Sequence, residues 1–89
     1  MRATKIRELD DFTGEAALYK LEPPIKDYNG DEYSFVVVSA AVALFTGAET
    51  YIFPSNKDGE IIKWGELDGS QRGTMSHETA LNGAGYKVD

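Results

Sequence analysis

The sequence predicts a small α+β domain, in which an antiparallel β-sheet of four to five strands follows a meander-like order and one short helix lies near the C-terminus. Turn-forming residues divide the chain into short segments, with clear examples at Pro23 and Pro24, at Asn29 and Gly30, and at residues 54–59. Such turns between segments rich in β-branched and aromatic residues are typical of an antiparallel meander. The chain has 89 residues, so we expect one domain spanning residues 1–89.

The first strand predicted by alternation covers residues 15–22. Ala17, Tyr19 and Leu21 share one face of this segment, which indicates a half-buried strand. We expect the strand to end at Pro23 and Pro24, because proline cannot donate a hydrogen bond to the ladder.

The longest apolar segment, residues 33–45, predicts the central strand. Apolar side chains occur on both of its faces, which is typical of a strand covered on both sides. It is longer than the usual strand of roughly 5–6 residues, so we expect a bulge or bend at residues 39–41. Residues 40–44 also fit a helical turn.

The second half of the chain predicts a hairpin, a helix and a final strand. Residues 50–53 and 60–64 flank a loop that ends in Gly59, where glycine can adopt the positive φ of a bulged hairpin turn. Ser76 is a good cap for a two-turn helix that ends at Gly83 or Gly85 and docks on the sheet through its apolar residues. Tyr86 and Val88 then predict a last strand.

The composition excludes several classes of protein. There is no cysteine, which excludes a disulfide framework, a thiolate zinc site and a cysteine nucleophile. No apolar run approaches the roughly 18–20 residues that span a bilayer, so we expect no membrane contact and a cytoplasmic location. The formal charge of −6 disfavours direct nucleic-acid binding. It also leaves open that acidic groups imitate a phosphate backbone, as an alternative to a merely soluble surface.

Motifs for metal binding and catalysis are weak. Residues 27–32 resemble the start of a calcium loop, but Glu32 stands where an EF-hand needs glycine and Val38 where it needs glutamate. His77 is the only histidine, and the chain offers no recognisable nucleophile with its base. We therefore expect no metal, no cofactor and no enzymatic activity.

Two groups of residues are candidates for binding. The segment 68–76 combines a guanidinium, hydroxyls, glycines and the start of the helix, which predicts a phosphate or nucleotide site formed by Ser70, Arg72, Thr74 and Ser76. A structural loop is the alternative for this segment. Aromatic side chains are enriched at protein interfaces, and Trp64, Tyr51 and Tyr86 are the candidates for such a surface or, alternatively, for the core.

The C-terminal half also carries a family resemblance. Together with the segments at residues 17–19 and 36–39, residues 49–54, 59–67, 69–73 and 77–86 resemble small uncharacterised proteins of bacteriophages that infect actinobacteria. The resemblance implies a setting, a phage product acting in the cytoplasm of an infected bacterial cell or carried in a prophage. It implies no catalytic residue and no known function.

Three functions are compatible with these observations. The first is a non-enzymatic phage accessory protein that acts as a protein–protein interaction module and binds itself or a host protein. The second is a phosphate- or nucleotide-binding protein that counters host defence. The third is an acidic mimic of nucleic acid, which requires most of the acidic residues to lie along one face.

Overall fold

The computed structural model describes residues 1–10, 15–27, 29–43, 47–62, 71–72 and 76–89. These residues form six strands and one helix: β1 (Arg2–Leu9), β2 (Glu15–Lys26), β3 (Glu32–Ala43), β4 (Gly47–Ser55), β5 (Gln71–Arg72), α1 (His77–Gly83) and β6 (Lys87–Val88). They make one sheet in the order β5-β4-β3-β2-β1-β6, which confirms the predicted α+β class and the meander order of its first five strands. The sheet is mixed, because β6 pairs with β1 in parallel.

The N-terminal strand β1 was not predicted from the sequence. Its side chains alternate poorly between apolar and polar, and its register against β2 shifts between Lys5 and Arg7. An extra residue in a strand reverses the side-chain alternation at that point. β1 is therefore a strand because it pairs with β2, and the alternation of its own side chains does not predict it.

The predicted end of β2 at the proline pair is wrong. The strand continues to Lys26, with a cis peptide bond between Glu22 and Pro23. The register between β2 and β3 shifts between Lys20 and Ile25, so the two prolines lie where this ladder is interrupted and their missing N–H groups cost no ladder bond.

The predicted bulge at residues 39–41 is also wrong, and so is the alternative helical turn at residues 40–44, as far as Ala43. β3 pairs with β4 in unbroken register from Phe35 opposite Ser55 to Ala43 opposite Gly47. β4 is itself a long strand, and its continuous pairing keeps β3 regular from Phe35 to Ala43. Its predicted central position is confirmed, since Val36, Val37 and Val38 are all fully buried.

The two faces of the sheet have separate cores. On one face, α1 packs over a cluster that includes Tyr19, Val36, Ile52 and Leu81. On the other face lies a smaller cluster of Leu9, Ala16, Leu18 and Val37, with Phe35 and Ile61 packed against it. The loop after β4 reaches this second cluster, because a Cβ on Gly59 would lie 3.2 Å from a Leu9 methyl carbon.

The C-terminal elements agree with their sequence signals. The Ser76 hydroxyl accepts a hydrogen bond from the N–H of Thr79 at 3.1 Å and so caps α1. The hairpin turn has Gly59 at φ +85°, and Ser55 bridges Ile61 in antiparallel pairing. The rest of the predicted second arm, from residue 63 onward, lies outside the described residues. No helix in the described part of the chain is long and apolar enough to cross a membrane.

Candidate functional site

The predicted anion site falls largely outside the described residues. Ser70 and Thr74 are not described, and of Arg72 only the backbone is described, in its pairing with Glu49. Ser76 is described, and its hydroxyl oxygen is engaged in capping α1. The structure therefore assigns Ser76 a structural role and leaves the anion site a prediction.

The predicted aromatic surface is divided in a similar way. Trp64 lies outside the described residues. Tyr51 is half-buried on β4, stacks on Phe53 with 6.0 Å between ring centroids, and donates its hydroxyl hydrogen bond to Glu49.

Tyr86 is not a surface residue. Its side chain is only 3% exposed, and its hydroxyl donates to the carbonyl oxygen of Pro23 at 2.5 Å. Burial of this phenol raises its pKa. The reason is the position of β6 beside β1, which carries the preceding Tyr86 into the core under α1. Tyr86 therefore belongs to the core and not to the candidate interface.

A groove of about 310 Å³ lies where β1, β2 and the start of α1 meet. It combines one histidine, one ammonium group and three carboxylates with a small apolar floor: its lining residues are Lys5, Glu8, Leu9, Asp10, Glu15, Ala16, Ala17 and His77. These residues come from two neighbouring strands and from the start of α1, which is about 60 residues further along the chain. Antiparallel pairing brings Leu9 opposite Ala16, and the docking of α1 adds His77.

His77 is held at both ring nitrogens. Nε2 lies 3.1 Å from the backbone carbonyl oxygen of Glu15, which can only accept, so Nε2 carries a proton and donates. Nδ1 lies 3.2 Å from the Tyr19 hydroxyl, so in the neutral ring Nδ1 accepts from that hydroxyl. The two rings also meet edge to face. His77 therefore ties the start of α1 to β2 and offers neither nitrogen to a substrate as a general base.

Two of the charged side chains of the groove, Lys5 and Glu8, form an exposed ion pair. Lys5 Nζ donates to Glu8 Oε1 at 2.9 Å. This hydrogen bond raises the pKa of Lys5 and lowers the pKa of Glu8, so both groups are charged at neutral pH. Burial raises the pKa of Tyr19, so its phenol stays protonated. Among the described residues, no group of three or more histidine or acidic side chains is placed to hold a metal ion.

No protein-family model, curated protein or solved structure matches this chain.

One edge of the sheet lies next to the groove. The N–H of Lys87 donates to the carbonyl oxygen of Met1, and the N–H of Asp89 donates to that of Ala3, so β6 follows β1 only over its first residues. The following four residues of β1, residues 5–8, are all exposed. Within the described ranges, no strand pairs with this side of β1 beyond Ala3. We call this exposed stretch the β1 edge.

The acidic residues do not form a single row in the described part of the chain. Asp10 and Glu15 lie at the groove, whereas Asp27, Asp31 and Glu32 lie at the opposite end of β2. The Asp27 carboxylate accepts from two backbone N–H groups of the turn at about 3 Å, those of Asn29 and Asp31, and from the Tyr33 hydroxyl. The resemblance of this turn to a calcium loop thus has a structural explanation.

Proposed function

We propose that this protein is a non-enzymatic protein-binding module, and that its β1 edge accepts an extended segment of another protein molecule as an additional strand. The observation that carries the proposal is the run of four exposed residues on an edge strand that β6 covers only at Arg2 and Ala3. An uncovered edge presents backbone N–H and C=O groups that a further strand can pair with.

The groove supports this mode of binding. In strand addition, backbone hydrogen bonds supply affinity and pockets for alternate side chains supply specificity. Lys5 and Glu8 belong to the β1 edge and also line the groove. A segment laid along the edge would therefore place a side chain beside the groove, where it meets both apolar and charged groups.

The engagement of the histidine and of the ammonium group favours binding over chemistry at this site. Both ring nitrogens of His77 are engaged, and the Lys5 ammonium is paired with Glu8. The setting that we propose is the one implied by the resemblance to phage proteins, the cytoplasm of a bacterial host, where the partner is a host protein or a second copy of the chain.

A selection from a random peptide display library tests the proposal. We expect selected peptides to shift and protect the backbone N–H signals of Lys5 and Glu8 in NMR spectra of the protein. The variant Glu8→Pro removes an N–H at the edge and should abolish peptide binding, whereas Glu8→Gln keeps that N–H and serves as the matched control. Proline is tolerated on edge strands, and circular dichroism confirms folding.

Two results would contradict the proposal. One is the absence of any selected peptide. The other is a set of peptides that protect residues away from β1 and bind the Glu8→Pro variant as well as the wild type.

A further inference from the structure

The charged residues of the β1 edge occur in a particular order. Basic Lys5 and Arg7 come first and acidic Glu8 follows, with Asp10 just after the end of β1. Antiparallel pairing of two identical strands reverses one of them, so the basic half of each strand lies opposite the acidic half of the other. We propose that the strand accepted by the β1 edge is β1 of a second copy of this chain, paired antiparallel in a two-fold symmetric dimer. This inference rests on the proposed function and names its partner.

The hydrogen bonds of the monomer indicate which residues face each other. Met1 and Ala3 turn their carbonyl oxygens toward β6, away from β2. Because backbone groups alternate in direction along a strand, those of Lys5 also point toward this open side of β1, in one row with those of Met1 and Ala3. The register shift between Lys5 and Arg7 moves the next member of the row to Glu8, since Lys5 and Glu8 share one face of the sheet. Pairing of these rows sets Lys5 of each copy opposite Glu8 of the other.

Charges on an edge strand usually prevent uncontrolled pairing. Here their order selects one arrangement, because like charges directly opposite each other are destabilising. Parallel pairing in register would oppose Lys5 to Lys5 and Glu8 to Glu8. Lys5 opposite Glu8 avoids both contacts. The pairing is therefore made specific both by attraction in the correct register and by repulsion in the wrong one.

The charge balance of the strand also favours this contact over others. The chain as a whole carries a formal charge of −6, so most faces of two copies repel each other. Residues 2–10 instead contain three basic and two acidic side chains. Repulsion between two copies is therefore weak at β1. Ile6, which is 47% exposed in the monomer, would lie near the two-fold axis and lose contact with water.

Sedimentation equilibrium on the full chain tests the inference. Interfaces of less than about 1,200 Å² are weak, and a short strand pairing belongs to that class. We expect the apparent mass to rise with protein concentration from 9.8 kDa toward twice that value. The single variants Lys5→Glu and Glu8→Lys should each weaken the dimer by about tenfold or more, because each opposes two like-charged pairs across the interface.

Mixing the two variants isolates the contact between copies. Within each variant, residues 5 and 8 carry like charges before and after mixing. In a dimer of one variant with the other, residue 5 of each chain lies opposite residue 8 of the other chain, and the two carry opposite charges. An equimolar mixture should therefore recover the dimer. The matched control is Lys26→Glu, which makes the same change in charge at another exposed ion pair, 3.6 Å from Glu32 and distant from β1. It should dimerise like the wild type.

A protein that stays monomeric up to millimolar concentration overturns the inference. So does a dimer that tolerates Lys5→Glu, that responds equally to Lys26→Glu, or that is not recovered by mixing the variants. If such a result accompanies peptides that bind at β1, the proposed function stands and only the identity of the partner is wrong. If no peptide binds either, both proposals fall.

Discussion

Truncation of Leu81 tests whether α1 is held by the sheet. The Leu81 side chain is fully buried and packs in the cluster that contains Val36 and Ile52. An isolated helix of seven residues does not persist in water, so α1 depends on this docking. Leu81→Ala removes the largest buried side chain of the helix and leaves its backbone unchanged.

The expected loss follows from the complete burial of this side chain. Leucine-to-alanine changes in protein cores cost about 2–5 kcal/mol, as lost transfer free energy plus the cavity left behind. At about 0.05–0.15 kcal/mol per residue, an 89-residue domain has a free energy of unfolding of about 4–13 kcal/mol. A loss of about 3 kcal/mol therefore removes a large share of the stability. In a domain of this size it lowers Tm by about 12–24 °C.

Urea unfolding followed by far-ultraviolet circular dichroism measures this loss. Leucine and alanine both favour the helix, so intrinsic propensity contributes little to the difference. Asn82→Ala is the matched control, since Asn82 is the exposed neighbour of Leu81 on the same helix. We expect that control to change the free energy of unfolding by less than about 0.5 kcal/mol. A cost below about 1 kcal/mol for Leu81→Ala, or one equal to that of the control, would refute the docking of α1.

Three further predictions concern local interactions. Ser76→Ala removes the cap of α1 and should lower the free energy of unfolding by about 0.5–2 kcal/mol in urea titrations, whereas no change would show that the cap is dispensable. Gly59→Ala places a Cβ at positive φ and 3.2 Å from a buried methyl carbon, so its thermal unfolding should occur well below that of Gly30→Ala, which has positive φ but open space around it. Burial raises the pKa of Tyr19 and Tyr86 above the ordinary value of 10.0, so the unfolded chain loses these protons first. The free energy of unfolding should then hold below about pH 10 and fall above it, less steeply in the two tyrosine-to-phenylalanine variants; an identical slope in wild type and variants would contradict this cause.

Several elements could be predicted because their signals are local. The Ser76 cap and the positive φ of Gly59 depend on a few consecutive residues, and both occur as expected. The central position of β3 follows from Val36, Val37 and Val38, since consecutive apolar side chains point to opposite faces and each needs a cover. For these elements the physical cause lies within the segment itself.

Other features depend on partners that the segment does not contain. β2 passes through Pro23 and Pro24 because the ladder on the β3 side is already interrupted there, which proline content alone does not reveal. β1 is a strand because β2 lies beside it, although its own residues alternate poorly. Tyr86 resembles a surface aromatic in the sequence, yet the parallel docking of β6 buries it.

The sequence by itself determined the class of the domain, its turns at Gly30 and Gly59, its helix cap and its central strand, because these follow from residue type and short-range periodicity. Only the tertiary structure decided that Lys5, Glu15 and His77 line one groove, and that the edge beside it is the exposed part of β1. Such proximity arises from the pairing of β1 with β2 and from the docking of α1, which is distant from both strands in the sequence. Those contacts depend on how all the segments pack together, so they cannot be predicted from the sequence of any single segment.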